Sequence, residues 1–256
     1  MRIFAWLSSL ALLLYLGALG WIYFAQRQLL FHPTHERQAR EGFYLRTPGG
    51  KVRVEVRNPG KEQALIYLPG NSEHWWEDPG DLARMLPNHT IYFPHYPGYG
   101  ASEGSPSQAA LFGMALRLYD RIAPAHRKVD LLGRSLGSGV ALYLASRRPV
   151  HRLVLVTPYD SIVALGAERY PLFPIRLIAK DPFESWRYAP KISVPTLILL
   201  AEEDRVIPRR HSLELIRHFR AIHPEVATLP GTDHGNIIDS PDYPRLLRSF
   251  LENRRN

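Results

Sequence analysis

Short runs of consecutive apolar residues recur along the chain, and they alternate with longer segments in which apolar residues return every three or four positions. Such runs are typical of strands in the middle of a parallel sheet, and the longer segments are typical of amphipathic helices. The predicted strands are residues 64–68, 91–93, 128–132, 153–156, 196–201 and 225–229. The predicted helices are residues 81–86, 108–122, 136–147, 211–219 and 243–253. This alternation predicts a doubly wound α/β sheet.

Two segments depart from this alternation. Residues 42–46 and 52–57 alternate apolar and polar positions around Pro48-Gly49-Gly50, which predicts an N-terminal antiparallel hairpin at the edge of the sheet. Residues 162–190 form the longest interruption between two predicted strands and contain two helical fragments bounded by proline. An insertion at this point lies over the carboxyl ends of the strands, where ligands bind, so we expect a short cap.

The N-terminal segment is apolar without interruption. Residues 3–26 contain no charge, are bracketed by Arg2 and Arg27, and are long enough to cross a bilayer as a helix. A cleaved signal peptide is the main alternative, but its apolar region would be shorter and followed by a clear cleavage site. A buried helix of a soluble domain is a weaker alternative, because the segment has no polar face. We expect an uncleaved transmembrane anchor over residues 1–27, followed by the α/β domain over residues 28–256.

The charge of the chain bears on which partners it binds and on how the anchor is oriented in the membrane. The formal net charge is +8 with a pI near 9.8, but the arginines are scattered and no basic run is interleaved with aromatics, so we expect no nucleic-acid partner. A basic face beside anionic lipid, or simple solubility, accounts for the charge. Arg2 and the amino terminus favour a cytoplasmic N-terminus, whereas Arg27, Arg37 and Arg40 oppose it. We expect a single-pass membrane protein with its domain on the periplasmic or extracellular side.

A candidate nucleophile lies between a predicted strand and a predicted helix. Ser135 stands in the pattern G-x-S-x-G between Gly133 and Gly137. A serine on a sharp strand-to-helix turn exposes its hydroxyl, and the glycines avoid collisions across that turn. The following helix also points its first N–H groups at whatever binds beside the serine. The pattern therefore predicts a nucleophile elbow.

A serine nucleophile needs a base and an acid that orients the base, and on such an elbow they follow in the order acid, then histidine. Asp204 follows the strand 196–201, and we expect it to be the acid because it lies further along the loop than Glu202 and Glu203. His234 lies in a glycine-flanked loop directly after the strand 225–229, and we expect it to be the base. Asp233 is a weaker candidate for the acid, because neighbouring side chains in an extended loop point apart.

An acyl-transfer intermediate also needs N–H donors for its oxyanion. We expect one from the backbone of Leu136, next to the nucleophile, and a second from Asn71 in the loop after the strand 64–68. The alternative for that loop is a turn in which Asn71 or Ser72 caps the next helix, and this would not exclude the oxyanion role.

The remaining motifs do not indicate a catalytic role. The glycine-punctuated loop 96–104 is interpreted as structural, and Trp75 and Trp76 suit either an apolar acyl pocket or simple packing.

The chain has no cysteine, which excludes disulfides, thiolate catalysis and cysteine zinc sites. Histidine pairs with metal-ligand spacing, a dinucleotide fingerprint and a phosphate-binding loop are absent from the sequence, so we expect neither a metal nor a cofactor.

Several ordered motifs together resemble the α/β-hydrolase superfamily, and more narrowly the Bem46-like group of membrane-anchored serine hydrolases with its ABHD13- and ABHD17-type proteins. The similarity extends from about Gln28 to the C-terminus. The motifs are Leu68-Pro69-Gly70-Asn71, Tyr96-Pro97-Gly98-Tyr99-Gly100-Ala101-Ser102-Glu103-Gly104, Gly133-Arg134-Ser135-Leu136-Gly137, Lys180-Asp181-Pro182-Phe183-Glu184-Ser185, Val194-Pro195-Thr196 and Gly231-Thr232-Asp233-His234. The resemblance implies the α/β-hydrolase fold and a triad of Ser135, Asp204 and His234.

This chain departs from the family pattern at two positions. Pro69 stands where the family usually has histidine, and Pro97 stands where it usually has arginine. Both flank the expected oxyanion region and therefore bear on its shape and on substrate preference.

These observations predict a membrane-anchored serine hydrolase that cleaves carboxylic esters or thioesters of small or lipid-like acyl groups through an acyl-enzyme on Ser135. A serine peptidase of the same fold is one alternative. A non-catalytic binding protein that retains the fold is another, although a fold retired from catalysis would be free to lose one of the three residues.

Overall fold

A computed structural model describes residues 2–33, 41–71 and 79–252. Within these ranges, one sheet has the strand order β1-β2-β4-β3-β5-β6-β7-β8. The strands are β1 (Gly42–Thr47), β2 (Gly50–Arg57), β3 (Gln63–Leu68), β4 (His89–Pro94), β5 (Lys128–Arg134), β6 (Leu153–Val156), β7 (Thr196–Ala201) and β8 (Glu225–Leu229).

The helices lie between the strands and at the two ends of the chain. They are α1 (Arg2–Leu30), α2 (Pro79–Met85), α3 (Gln108–Ile122), α4 (Leu136–Ala145), α5 (Ile162–Arg169), α6 (Ile175–Ile178), α7 (Arg209–Arg217) and α8 (Asp242–Glu252). The predicted elements all have counterparts, with bounds that agree to within about two residues, and the predicted doubly wound sheet is confirmed.

The sheet is antiparallel at one edge and parallel elsewhere. β1 pairs with β2 and β2 with β4 in antiparallel fashion, which confirms the predicted N-terminal hairpin. The remaining neighbours pair in parallel. The carboxyl ends of β3, β5, β7 and β8 therefore lie along one edge, and the loops that follow these strands share that edge.

Both faces of the sheet are covered, which explains why the central strands are apolar throughout. In β3, Ala64, Ile66 and Leu68 pack into an apolar cluster with α3 and α4. Leu65 and Tyr67 point to the opposite face and pack into a second cluster with residues of α8. Burial on both faces removes the polar alternation that a half-exposed strand would need.

The N-terminal helix and the insertion are neighbours. Within α1, residues 4–30 are apolar enough and long enough to cross a membrane by length and composition. The helix continues to Leu30, three residues beyond the predicted end of the anchor at residue 27. The insertion contains α5 and α6, as the two proline-bounded fragments predicted, and side chains of α1 contact it.

Candidate active site

Ser135 lies at the junction between β5 and α4 with backbone angles φ 49° and ψ −118°. Positive φ is rare for a residue with a side chain, and such a conformation costs about 1–3 kcal/mol and persists only where its surroundings impose it. Here the Ser135 N–H donates to the carbonyl of Val156 at 2.9 Å, and the Ser135 carbonyl accepts from the N–H of Ser138 at 2.9 Å. The turn is therefore fixed by β6 on one side and by α4 on the other.

The two glycines of the motif are required by close packing. A Cβ atom on Gly137 would lie 2.0 Å from the carbonyl oxygen of Leu68, and one on Gly133 would lie 2.5 Å from the carbonyl oxygen of Gly137. The atoms in the way are backbone atoms of β3 and α4, which cannot rotate aside. This is the strand-to-helix geometry that the sequence predicted.

His234 lies between Ser135 and Asp204. Its Nε2 is 2.9 Å from the Ser135 Oγ, and its Nδ1 is 2.8 Å from the Asp204 Oδ2. Because a carboxylate oxygen only accepts, the Asp204 contact places the imidazole proton on Nδ1 and leaves Nε2 to accept from the serine hydroxyl. The structure thus brings together the three side chains that the sequence selected.

The Asp204 carboxylate is oriented by backbone donors. Its Oδ1 accepts from the N–H groups of Val206 at 2.9 Å and Ile207 at 2.7 Å, and its side chain is 4% exposed. The competing acids lie elsewhere: the Glu202 carboxylate accepts from the N–H of Gly231 at 2.8 Å, and Glu203 is exposed. Glu202 therefore braces the loop that carries the histidine.

Asp233 shapes the histidine loop from the other side. Its Oδ1 accepts from the N–H groups of Gly235 at 2.8 Å and Asn236 at 3.0 Å. These bonds, led by the one from Asn236, lower the pKa of the Asp233 carboxyl. Asp233 thus closes a turn, and the carboxylate hydrogen-bonded to the His234 Nδ1 belongs to Asp204.

Arg134 is a residue that sequence reasoning missed. Its side chain is buried, and its Nη2 donates to the carbonyl oxygens of His234 and Gly235, each at 3.0 Å. The residue before Ser135 therefore holds the backbone of the loop that carries His234. A charged residue inside an otherwise small and apolar motif was the available signal.

The expected oxyanion donor at Leu136 occupies the first position of α4, where backbone N–H groups have no partner inside the helix. The carbonyl of the same residue accepts from the Tyr159 hydroxyl at 3.2 Å. Tyr159 is fully buried, and this burial raises the pKa of its hydroxyl, so it remains a donor. The hydrogen bond from Tyr159 thus helps to fix the first turn of α4.

The expected donor at Asn71 has its side chain engaged elsewhere. Its Oδ1 accepts from the Tyr99 hydroxyl at 2.8 Å and from the His32 N–H at 3.0 Å, while its Nδ2 donates to the Leu30 carbonyl at 2.6 Å. Burial raises the pKa of Tyr99, which keeps this hydroxyl protonated. Any contribution of Asn71 to an oxyanion site therefore comes from its backbone N–H.

The loop 96–104 supports this region, as its structural interpretation predicted. The Tyr96 hydroxyl donates to the Pro69 carbonyl at 2.8 Å, directly beside the Asn71 loop. Gly98 and Gly100 have φ of 81° and 52°, and a Cβ atom on Gly100 would lie 2.1 Å from the His95 Nδ1. The glycines let the loop fold tightly enough for Tyr96 and Tyr99 to reach the loop that follows β3.

Two further points from the sequence concern the loop after β3 and metal binding. Ser72, Trp75 and Trp76 lie outside the described residues. Among the residues that the structure describes, no group of three or more acidic or histidine side chains could hold a metal ion.

No protein-family model matches the chain. Lysophosphatidylserine lipase ABHD12 of Danio rerio is 33% identical over 224 residues, which cover 73% of this chain and 57% of the relative. An uncharacterized protein of Mycobacterium tuberculosis H37Rv is 30% identical over 165 residues, which cover 61% of this chain and 57% of the relative. The alpha/beta hydrolase domain-containing protein aho-3 of Caenorhabditis elegans is 27% identical over 206 residues, or 76% of this chain and 59% of the relative. The chain thus spans a little over half the length of these relatives.

Solved structures show the same fold at lower identity. An esterase of Pyrococcus furiosus superposes with a TM-score of 0.69 at 14% identity, covering 89% of this chain and 98% of the esterase. The alpha/beta hydrolase MGS-M2 from a deep-sea metagenome superposes with a TM-score of 0.68 at 16% identity, covering 84% of this chain and 98% of that enzyme. At these identities the likeness shows the fold alone.

Proposed function

Because the chain belongs to the α/β-hydrolase superfamily, we propose that it is a membrane-anchored serine hydrolase of the Bem46-like group that cleaves carboxylic ester or thioester bonds. The observation that carries the proposal is the continuous hydrogen-bonded path from the Ser135 Oγ through both nitrogens of His234 to Asp204, with distances of 2.9 and 2.8 Å. Such a path is what converts a neutral hydroxyl into a nucleophile at ordinary pH.

The proposed reaction has two steps. The Ser135 Oγ attacks the ester carbonyl while the His234 Nε2 takes the hydroxyl proton, and Asp204 stabilises the imidazolium through Nδ1. His234 then gives this proton to the departing alcohol or thiol, which leaves an acyl group on Ser135. Water attacks that acyl-enzyme with His234 again as the base, and the acid product and the free serine are released.

Two backbone N–H groups are proposed to stabilise the tetrahedral intermediates. The N–H of Leu136 lies next to the nucleophile at the start of α4, where the helix dipole favours negative charge. The second is the N–H of Asn71, whose side chain is tied to Tyr99 and Leu30 and cannot swing towards the substrate without breaking those bonds. A donor fixed before the substrate arrives needs no reorganisation during the reaction.

The substrate is proposed to be a small or lipid-like acyl ester, since the relatives include proteins named as a lipase and the chain carries an apolar helix of membrane-spanning length. Residues 1–27 are proposed as the anchor and residues 28–256 as the catalytic domain, on the periplasmic or extracellular side of a single-pass protein. The mechanism requires neither a metal nor a cofactor.

The experiment that tests this function is turnover by the full chain in detergent or liposomes. Matched acetyl and octanoyl esters, the corresponding thioesters and a peptide amide are compared at equal concentrations. We expect ester or thioester hydrolysis that Ser135→Ala abolishes. Cleavage of the peptide alone would support the peptidase alternative, and the absence of all turnover in folded protein would support a non-catalytic role.

A further inference from the structure

An apolar cavity of about 170 Å³ lies between the N-terminal helix and the cap, away from the residues of the triad. It is walled by α1, α5 and α6, principally by Ile22, Leu29, Val163, Gly166, Ile175 and Ile178. An apolar cavity of about 150 Å³ in another protein stays dry and binds benzene, so a cavity of this size holds roughly six carbon atoms.

Two polar side chains, Gln26 and Asp181, line the cavity, and each is hydrogen-bonded to other groups of the protein. The Gln26 side chain donates to the Ile178 carbonyl at 3.2 Å and accepts from the Lys180 N–H at 2.6 Å. Asp181 accepts from the Arg27 Nε at 2.7 Å and from the Gln108 N–H at 2.8 Å. Because these groups are satisfied within the protein, the cavity offers its occupant an apolar surface.

The cap contacts α1 at two points that lie far apart along the helix. The Tyr15 hydroxyl donates to the Leu172 carbonyl at 3.0 Å, and the Tyr15 ring stacks on Phe173, while Arg27 holds Asp181 at the other end. Positions 15 to 27 of a helix span about 18 Å. If α1 crosses the bilayer, positions 4 to 14 supply about 16 Å of a hydrocarbon core about 30 Å thick. The cap must then enter the leaflet next to the domain.

The surface of the cap suits that depth. Leu172 and Leu177 are 79% and 86% exposed on the segment that contacts α1, and exposed apolar side chains are expected on a surface that faces lipid. The N–H groups of Phe173, Ile175 and Leu177 each donate to a backbone carbonyl within the same segment, which a lipid environment requires.

Leu30 lies between the cavity and the loop that carries Asn71. This residue lines the cavity, and its carbonyl accepts the hydrogen bond from the Asn71 side chain. Asn71 in turn holds the loop that we assign to the oxyanion site. The wall of the cavity is therefore one hydrogen bond away from the loop that carries Asn71.

We propose that this cavity is a binding site for part of the acyl chain of a membrane lipid, which enters sideways from the leaflet between α1 and the cap. The inference rests on the proposed function, since it identifies the substrate class as a long-chain acyl ester drawn from the bilayer. The anchor helix is then a wall of the substrate site as well as a tether.

The test is an acyl chain-length profile in liposomes. Ile175→Trp fills the cavity, and Leu177→Trp adds the same ring to the exposed side of the same helix. We expect Ile175→Trp to lower kcat/KM for dodecanoyl esters by roughly tenfold or more while acetyl ester turnover stays within about twofold, and Leu177→Trp to change neither. An equal effect on both esters, or no effect on either, overturns the proposal. Ile22→Trp fills the cavity from α1 and replaces Ile175→Trp should that variant fail to fold.

A second measurement does not depend on turnover. A photoreactive diazirine analogue of palmitic acid is crosslinked in liposomes to the Ser135→Ala chain, with and without Ile175→Trp, and the modified peptides are mapped. Crosslinks on α1, α5 and α6 that Ile175→Trp removes support the cavity as a lipid site, even if no ester is hydrolysed. Crosslinks confined to the outer surface of α1, or unchanged by Ile175→Trp, overturn it.

Discussion

The Arg134 side chain donates a hydrogen bond from Nη2 to the backbone carbonyl oxygen of His234 at 3.0 Å. These two residues are 100 positions apart in the sequence, and Arg134 directly precedes Ser135. The guanidinium thus links the turn at Ser135 to the loop that carries His234.

Replacing Arg134 by Met should loosen the histidine loop without removing any reacting group. Because misplacement of a catalytic group by about 1 Å can cost about 100-fold, we expect kcat to fall by roughly 10-fold to 100-fold with a much smaller change in KM. Steady-state kinetics on one ester measure both. Arg134→Lys, which keeps the charge but has a single donor group, should recover part of the loss, and a variant with wild-type kcat would contradict the positioning role.

The two aspartates near His234 should differ sharply in their effect. Asp204→Asn replaces the acceptor at the His234 Nδ1, favours the wrong tautomer and should lower kcat by about 10⁴-fold, as the same change does in a serine protease triad. Asp233→Asn retains an oxygen that can accept from Gly235 and Asn236 and should change kcat by only several-fold. Equal losses in the two variants would show that the acid is misassigned.

Gly137 should not tolerate even a methyl group. A Cβ atom would lie 2.0 Å from the Leu68 carbonyl oxygen, so Gly137→Ala forces β3 and α4 apart and should destabilise the fold by about 1–3 kcal/mol or more. The control is Gly113→Ala in α3, where nothing lies within 4 Å and the helix should gain about 0.5–1 kcal/mol. Thermal unfolding distinguishes the two, and a neutral Gly137→Ala would contradict the packing argument.

The secondary-structure elements and the positions of Ser135, Asp204 and His234 in loops after strands could be predicted because each depends on a local pattern. Ser135 is marked by two glycines within two positions of it, and Asp204 and His234 each follow directly after a strand whose apolar run is evident. The rule that parallel strands present their carboxyl ends at one edge then places the three residues at the same edge of the sheet. Their contact depends on the strand order, in which β5, β6, β7 and β8 are adjacent.

The supporting contacts could not be predicted, because they join residues far apart in sequence by side-chain reach. Asn71 is held by Leu30 and Tyr99, which are 41 and 28 positions away, and nothing local to any of the three indicates the others. The anchor was likewise predicted only as a transmembrane helix, and nothing in its sequence indicates that Tyr15 and Arg27 contact a cap more than 150 positions later. Amphipathic patterns identify which face is apolar but not which partner covers it.

A buried cluster at the opposite end of β5 makes stability depend on pH. Asp130 accepts from the His89 Nε2 at 3.0 Å and from the His151 Nδ1 at 2.9 Å. Burial raises the pKa of Asp130, but these hydrogen bonds outweigh it and the pKa lies below its ordinary value. The ionised carboxylate therefore stabilises the fold above about pH 3.9, and this stabilisation is lost as the pH falls through the lowered pKa.

Asp130→Asn should accordingly cost about 1–3 kcal/mol of the free energy of unfolding at pH 7, and the difference from the unmodified protein should shrink below about pH 4. Denaturant unfolding at several pH values measures it. Asp120→Asn, which breaks an exposed pair with Arg148, should cost less than about 1 kcal/mol. A pH-independent cost of Asp130→Asn would contradict the assignment of the stabilisation to its charge.

The most direct measurement of the central claim is the mass of the full chain after reaction with a fluorophosphonate, followed by mapping of the modified peptide. Ser135 should carry a single phosphonyl adduct, and Ser135→Ala should remain unmodified under conditions that label the unmodified chain completely. Labelling of Ser135→Ala at the original rate, or an adduct on another residue, would contradict the assignment of Ser135 as the nucleophile.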